Sequence, residues 1–265
     1  MKRVILSFLS IFYILRIFSF EFEEEKSPDK SYEGIICVTV SKSGTCLIKV
    51  ILENLLDKNI TGPVSRCSKE QIDKILSNNH FFLLHPVESI TYPRVFEYPE
   101  VKKILLIRDP RDIIVSLVDF IDRDGTIVWP QLKLADEEWM KLNRKEKIKA
   151  ILNTTHLIQS FNRIDKILNS CTNTYLCRFE SLVDNYTCNI QTILDLATFL
   201  EEPITEEIAK NIAISSWGNK KSWTFFRGTK TRWIEDFDEE IIDLFKNNEL
   251  NKKLIQWGYE KDNNW

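Results

Sequence analysis

The chain has 265 residues, 43% of them hydrophobic and 11% aromatic, which supports one substantial core and limits it to one large domain or two small ones. Its 36 basic and 39 acidic side chains leave a net charge of −3, which excludes whole-surface attraction to nucleic acid and confines any anion binding to a local pocket. Six cysteines without CxxC spacing and three histidines offer little to a zinc ion, so no metal is expected.

At the N-terminus, Lys2 and Arg3 precede an uncharged run from Val4 to Leu15, then Arg16 and the apolar Ile17 to Phe20. A positive flank before such a segment predicts a signal peptide or membrane anchor over residues 1–20. Membrane association through residues 4–20 follows, with the domain membrane-anchored or on the secretory route; a cytoplasmic chain is the remaining alternative. The bulky Phe18-Ser19-Phe20 lacks the small residues of a cleavage site, which favours an anchor that is not removed, and a buried N-terminal helix is the competing reading. The acidic, Pro-containing residues 21–30 read as a linker. The globular domain is then expected over residues 31–265.

Ile35 to Val40 is a short β-branched run suited to a buried parallel strand, and Ser41 to Cys46 separates it from a helical pattern over Leu47 to Leu56. Core strands are also predicted at His80 to Leu84 and Lys103 to Ile107, the second leading to a helix that opens near Pro110. Residues 136–168 have helical period, Thr174 to Cys177 reads as a strand, and Ile190 to Leu200 and Ile204 to Ala213 as helices. Strands alternating with helices predict an α/β fold, a parallel sheet covered on both faces in three layers.

Two segments carry chemistry. Val40-Ser41-Lys42-Ser43-Gly44-Thr45-Cys46 puts a lysine, small residues and a hydroxyl between a strand end and a helix start, where backbone amides and the helix N-terminus can receive a phosphate. It lacks the Walker spacing, since Lys42 precedes its glycine. In Ile107-Arg108-Asp109-Pro110-Arg111-Asp112-Ile113-Ile114-Val115-Ser116 an arginine closes a strand and a serine follows eight residues later, two turns into a helix. A guanidinium fork and a hydroxyl are a plausible pair for a monophosphate. Arg108 could instead be a structural ion-pair partner of Asp112 or Asp109.

In order and spacing these two segments resemble the sulfotransferases that use 3′-phosphoadenosine 5′-phosphosulfate (PAPS). The similarity continues through Cys177-Arg178-Phe179-Glu180-Ser181-Leu182, Ser215-Ser216-Trp217, Phe226-Arg227-Gly228-Thr229-Lys230-Thr231-Arg232-Trp233 and Trp257-Gly258-Tyr259. The resemblance implies a P-loop nucleoside-kinase-like fold and transfer of a sulfuryl group from PAPS to an acceptor hydroxyl or amine. Lys42, Ser43, Gly44, Thr45 and Cys46 would hold the 5′-phosphosulfate. Arg108, Ser116, Arg227 and Gly228 would hold the 3′-phosphate, and Ser215 and Trp217 would border the base. Lys42, His85 and Ser116 are the catalytic candidates, His85 as general base; His80 is expected to be structural, and His156 lies in a helical segment without a clear partner.

The chain departs from the family pattern at Cys46, Leu47, Phe226 and Thr231-Arg232, and has Leu83-Leu84 where Lys-Thr usually precedes the histidine. A kinase and a silent nucleotide-binding protein are the alternatives. The acceptor is expected to be a small molecule, lipid or carbohydrate, with Tyr92, Phe96, Trp129 and Trp139 able either to line its pocket or to pack in the core.

Overall fold

A computed structural model describes residues 34–56, 60–64, 67–77, 81–84, 92–216 and 229–265. The leader and linker expected over residues 1–30, and the residues His80, His85, Trp217, Phe226, Arg227 and Gly228, lie outside the described residues.

Five strands form one sheet: β1 (Ile35–Thr39), β2 (Ile60–Val64), β3 (Phe81–Leu84), β4 (Lys102–Ile107) and β5 (Thr174–Arg178). Their order is β2-β3-β1-β4-β5 and every neighbouring pair is parallel. The expected α/β architecture is therefore present, with one strand that pattern reading overlooks. β2 carries Gly62 and Pro63, which normally punctuate a turn; as an outer strand of the sheet it can spare the amide that proline lacks.

Period-two alternation divides the strands between two cores. Ile36, Val38, Val40, Leu105 and Ile107 join one apolar cluster, while Ile35, Cys37, Ile104, Leu106 and Cys177 join the other. The first is covered by α2 (Lys69–Ser77), α3 (Pro110–Asp124), α5 (Arg144–Leu152), α6 (His156–Ser170), α11 (Glu239–Lys246) and α12 (Glu249–Gln256). The second is covered by α1 (Thr45–Leu56), α7 (Phe179–Val183), α8 (Tyr186–Leu200) and α9 (Glu206–Ser216). Short α4 (Asp136–Lys141) and α10 (Trp233–Asp236) complete the described helices. The helical stretch expected over residues 136–168 is thus three helices. Its first break is set by Asn143, whose side chain caps α5 by accepting from the Glu146 amide at 3.0 Å.

Two expectations need correction or decision. No helix among the described residues is long and apolar enough to cross a membrane, which overturns the anchored or secretory-route localisation. The longest helices, α3, α6 and α8, have 15 residues each, against about 20 for a span, and they are amphipathic elements of the two cores. The aromatic residues Tyr92, Trp129 and Trp139 are buried in the first core, with Phe96 packed against it. All six cysteines are free thiols, and burial pushes Cys37 up in pKa and Cys177 up to about 12, as for small core side chains.

Candidate functional site

Strand order decides where the two candidate segments go. From β1 the chain travels to β2 and β3 on one side, whereas β4 leads on to β5 on the other. The carboxyl ends of β1 and β4 therefore flank a switch point, the place where an open parallel sheet leaves a crevice for ligands. Lys42 follows β1 and Arg108 follows β4.

The β1–α1 turn is held from within. Ser43 is fully buried, and both its amide, at 3.1 Å, and its hydroxyl, at 2.6 Å, donate to the carbonyl of Val40. Its side chain thus closes the turn. Gly44 has φ 102°, and a Cβ there would meet Phe179 at 2.5 Å, so both conformation and space demand glycine. Thr45 opens α1 and shares a 2.9 Å hydrogen bond with Thr39. Residues 40–44 separate the end of β1 from the first turn of α1, whose Leu47 amide donates to the Gly44 carbonyl at 2.9 Å. Leu47 packs against the second core.

Lys42 sits at φ 64°, a left-handed conformation that costs a non-glycine residue about 1–2 kcal/mol. Its ammonium lies 4.0 Å from the centroid of the Phe120 ring. Burial, then the neighbouring charges of Arg123 and Arg108, lower its pKa to about 8. A lysine with a depressed pKa in a crevice is a functional-site signature.

Arg108 is 5% exposed. Its Nη1 donates to the carbonyl of Lys42 at 3.0 Å and its Nη2 to that of Thr229 at 2.9 Å. Its guanidinium also lies 4.3 Å over the Phe179 ring and 3.5 Å from Asp112, while its buried Nε has no partner. Of the two ion-pair partners considered for it, Asp112 is the one engaged. Asp109 instead caps α3 and binds Arg111, whose guanidinium lies over the rings of both Trp233 and Trp265, at 3.8 and 4.6 Å, and reaches Glu260 at 2.8 Å.

Ser116 is 8% exposed on α3. Helical spacing puts it on one face with Asp112, four residues before it, and with Asp119, Phe120 and Arg123 after it. That face meets the segment Thr229–Trp233: Asp112 accepts the amides of Thr231 at 2.8 Å and Trp233 at 3.1 Å, and Asp119 pairs with both Arg232 and Arg144. Arg123 lies 5.5 Å over the same Phe120 ring as Lys42. Asp112, Asp119, Phe120 and Arg123 were not singled out from the sequence as site residues, although steps of three, four and seven residues around Ser116 select them.

The remaining resemblances are mainly structural. Glu180 accepts the Asp109 amide and the Tyr259 hydroxyl, both at 2.9 Å, and desolvation raises its pKa. Arg178 donates to the Trp257 carbonyl. These contacts tie the end of β5 and the Trp257-Gly258-Tyr259 segment to the start of α3. Ser215 is exposed in the last turn of α9, donating to the Ile212 carbonyl at 2.9 Å. His156 packs edge-on against Trp129 at 4.7 Å with a buried, unpartnered Nε2, and desolvation lowers its pKa to about 4. It is a neutral packing residue at physiological pH.

No curated protein matches the chain. Among solved structures, mouse sulfotransferase SULT7A1 complexed with PAP is similar at a TM-score of 0.63 and 15% identity, over 86% of each chain. A retinol dehydratase in complex with retinol and PAP is similar at a TM-score of 0.52 and 14% identity, over 86% of this chain and 82% of that one. At such identities the likeness concerns the fold. The family model of the sulfotransferase domain matches residues 33–253, which include β1 to β5, the Lys42 turn, Arg108 and the Thr229–Trp233 segment. The chain belongs to the sulfotransferase family.

Proposed function

We propose that this chain transfers a sulfuryl group from PAPS to a hydroxyl or amine of a small-molecule acceptor. The observation that carries the reading is the meeting of Lys42 and Arg108 at the switch point, joined by the 3.0 Å bond from Arg108 to the Lys42 carbonyl. The residues present suit a bis-phosphorylated nucleotide. A glycine turn backed by Phe179 sets the N-terminus of α1 at the switch point for one anionic group, and the buried unpartnered Nε of Arg108 beside the Ser116 face suits another. PAP is PAPS without its sulfuryl group, and both similar structures hold it.

The reaction forms a bond from the acceptor oxygen or nitrogen to sulfur, breaks the bond from sulfur to the bridging phosphate oxygen, and releases the acceptor proton. Lys42 supplies positive charge where the leaving phosphate gains negative charge, and the amides of Gly44, Thr45 and Cys46 hold the same group. Arg108 and Ser116, with Arg227 and Gly228, bind the 3′-phosphate; Ser215 and Trp217 border the base. His85 takes the acceptor proton. The domain that does this spans residues 31–265, after a linker over residues 21–30. The acceptor is a lipid or carbohydrate alcohol or a similar small molecule; the retinol held by one similar structure supports an apolar one.

Incubation with labelled PAPS and a panel of phenols, sterols, lipids and carbohydrates tests the proposal. Label should pass to at least one class. Tight binding of PAP with no transfer to any acceptor would leave only a nucleotide-binding protein.

A further inference from the structure

The described residue that joins most of the site is one that the reading above gives no role. Asp112 is completely buried. Its Oδ2 accepts the Thr231 amide at 2.8 Å and lies 3.5 Å from Arg108 Nη2; its Oδ1 accepts the Trp233 amide at 3.1 Å. Arg108 in turn donates to the carbonyls of Lys42 and Thr229. One carboxylate and one guanidinium therefore connect the β1–α1 turn, the end of β4, the start of α3 and the Thr229–Trp233 segment.

The backbone gives an independent indication. Thr231 has φ 59°, an outlier for a β-branched residue, and such conformations persist only where their surroundings over-determine them. Asp112 holds the amide of that same residue. A buried carboxylate whose oxygens receive two amides and a guanidinium is a charged group that cannot move without leaving several partners unpaired.

We propose that Asp112 is a positioning residue for the donor's 3′-phosphate. By holding Thr231 in its left-handed conformation it fixes the Thr229 carbonyl against Arg108, and by its charge it orients the guanidinium whose Nε remains for the ligand. This rests on the reading of Arg108 as a 3′-phosphate ligand. Asp112 acts through Arg108 and the Thr229–Trp233 segment and makes no contact with the donor.

The test compares two nucleotides that differ only in the 3′-phosphate, PAP and adenosine 5′-monophosphate, on the purified wild-type chain and Asp112→Asn. The amide keeps the shape and one acceptor oxygen while removing the charge. PAP affinity should fall at least about tenfold, the scale of one charge-assisted hydrogen bond, with the monophosphate changed by less than about twofold. Equal weakening of both nucleotides, or unchanged PAP affinity, would overturn the positioning role. A wild-type chain that bound PAP no better than the monophosphate would refute the donor reading itself.

Hydrogen exchange on the wild-type chain gives a second readout that survives a poorly folded variant. PAP should slow exchange at the Thr231 and Trp233 amides and the monophosphate should not. Identical exchange with the two nucleotides would count against the role of Asp112.

Discussion

The loops that leave β1 and β4 each present one cation to the same crevice, and they hold it in opposite ways. Lys42 keeps its ammonium over an aromatic face, desolvated and beside two other cations, so that its charge is poised near neutral pH. Arg108 spends both Nη groups on backbone carbonyls and sets its charge beside a buried carboxylate. The difference teaches that a loop cation able to respond to a changing ligand charge is desolvated and set beside like charges. A cation that must define the shape of the site is bonded to the frame. The choice of residue follows, since a lysine is a compact charge whose pKa shifts readily and an arginine is a planar fork that stays charged.

The sharpest way to break this contrast is to remove the poised charge. Lys42→Ala should depress transfer by about 3 kcal/mol or more in activation free energy, a loss typical of a group that stabilises developing negative charge. The melting temperature should hold, because removing a desolvated ammonium set beside Arg123 and Arg108 relieves like-charge repulsion. Turnover assays with purified protein, beside circular dichroism, measure both; retained turnover would remove Lys42 from the chemistry.

A smaller effect of the opposite kind is expected from Arg108→Lys. The substitution preserves the charge but not the fork, so at least one of the carbonyls of Lys42 and Thr229 loses its donor, at a cost of roughly 2–3 kcal/mol in stability. PAP affinity should fall with it. Thermal melts and PAP titration would show the pair of losses, and an unchanged melting temperature would mean that the fork is not structural.

The smallest effect lies in the pH profile. Lys42 must be protonated to act, and its pKa of about 8 places loss of the cation at mildly alkaline pH. kcat/KM for the donor, which reports the free enzyme, should therefore decline as pH rises through about 8. Burial is the largest cause of the lowered value and Arg123 the next. Arg123→Gln removes that positive neighbour, raises the Lys42 pKa and moves the alkaline limb to higher pH. An alkaline limb that stays in place would assign it to another group.

Strand and helix identities were legible from local pattern wherever burial on both faces makes a strand continuously apolar, as in Ile35 to Val40 and Lys103 to Ile107. They were not legible in β2, where Gly62 and Pro63 look like a turn and only an outer position in the sheet makes them tolerable. Residues 136–168 had helical period throughout, yet period alone does not reveal where Asn143 restarts a helix by capping it.

The sequence by itself determined the chemistry of the two ends: a small-residue turn with Lys42, an arginine eight residues before Ser116, and the order in which these motifs occur. Those are properties of neighbouring residues, fixed by covalent spacing and helical period. Only the tertiary structure decided that the two ends meet, because the order β2-β3-β1-β4-β5 depends on which strands pair across long stretches of chain. It also decided that Arg108 pairs with Asp112 and Asp109 with Arg111. The same packing placed Phe179 beneath both Gly44 and Arg108 and sent Trp129 and Trp139 to the core. Each of these depends on which surfaces are left to bury once the sheet has formed, a competition among distant groups that no local window of sequence contains.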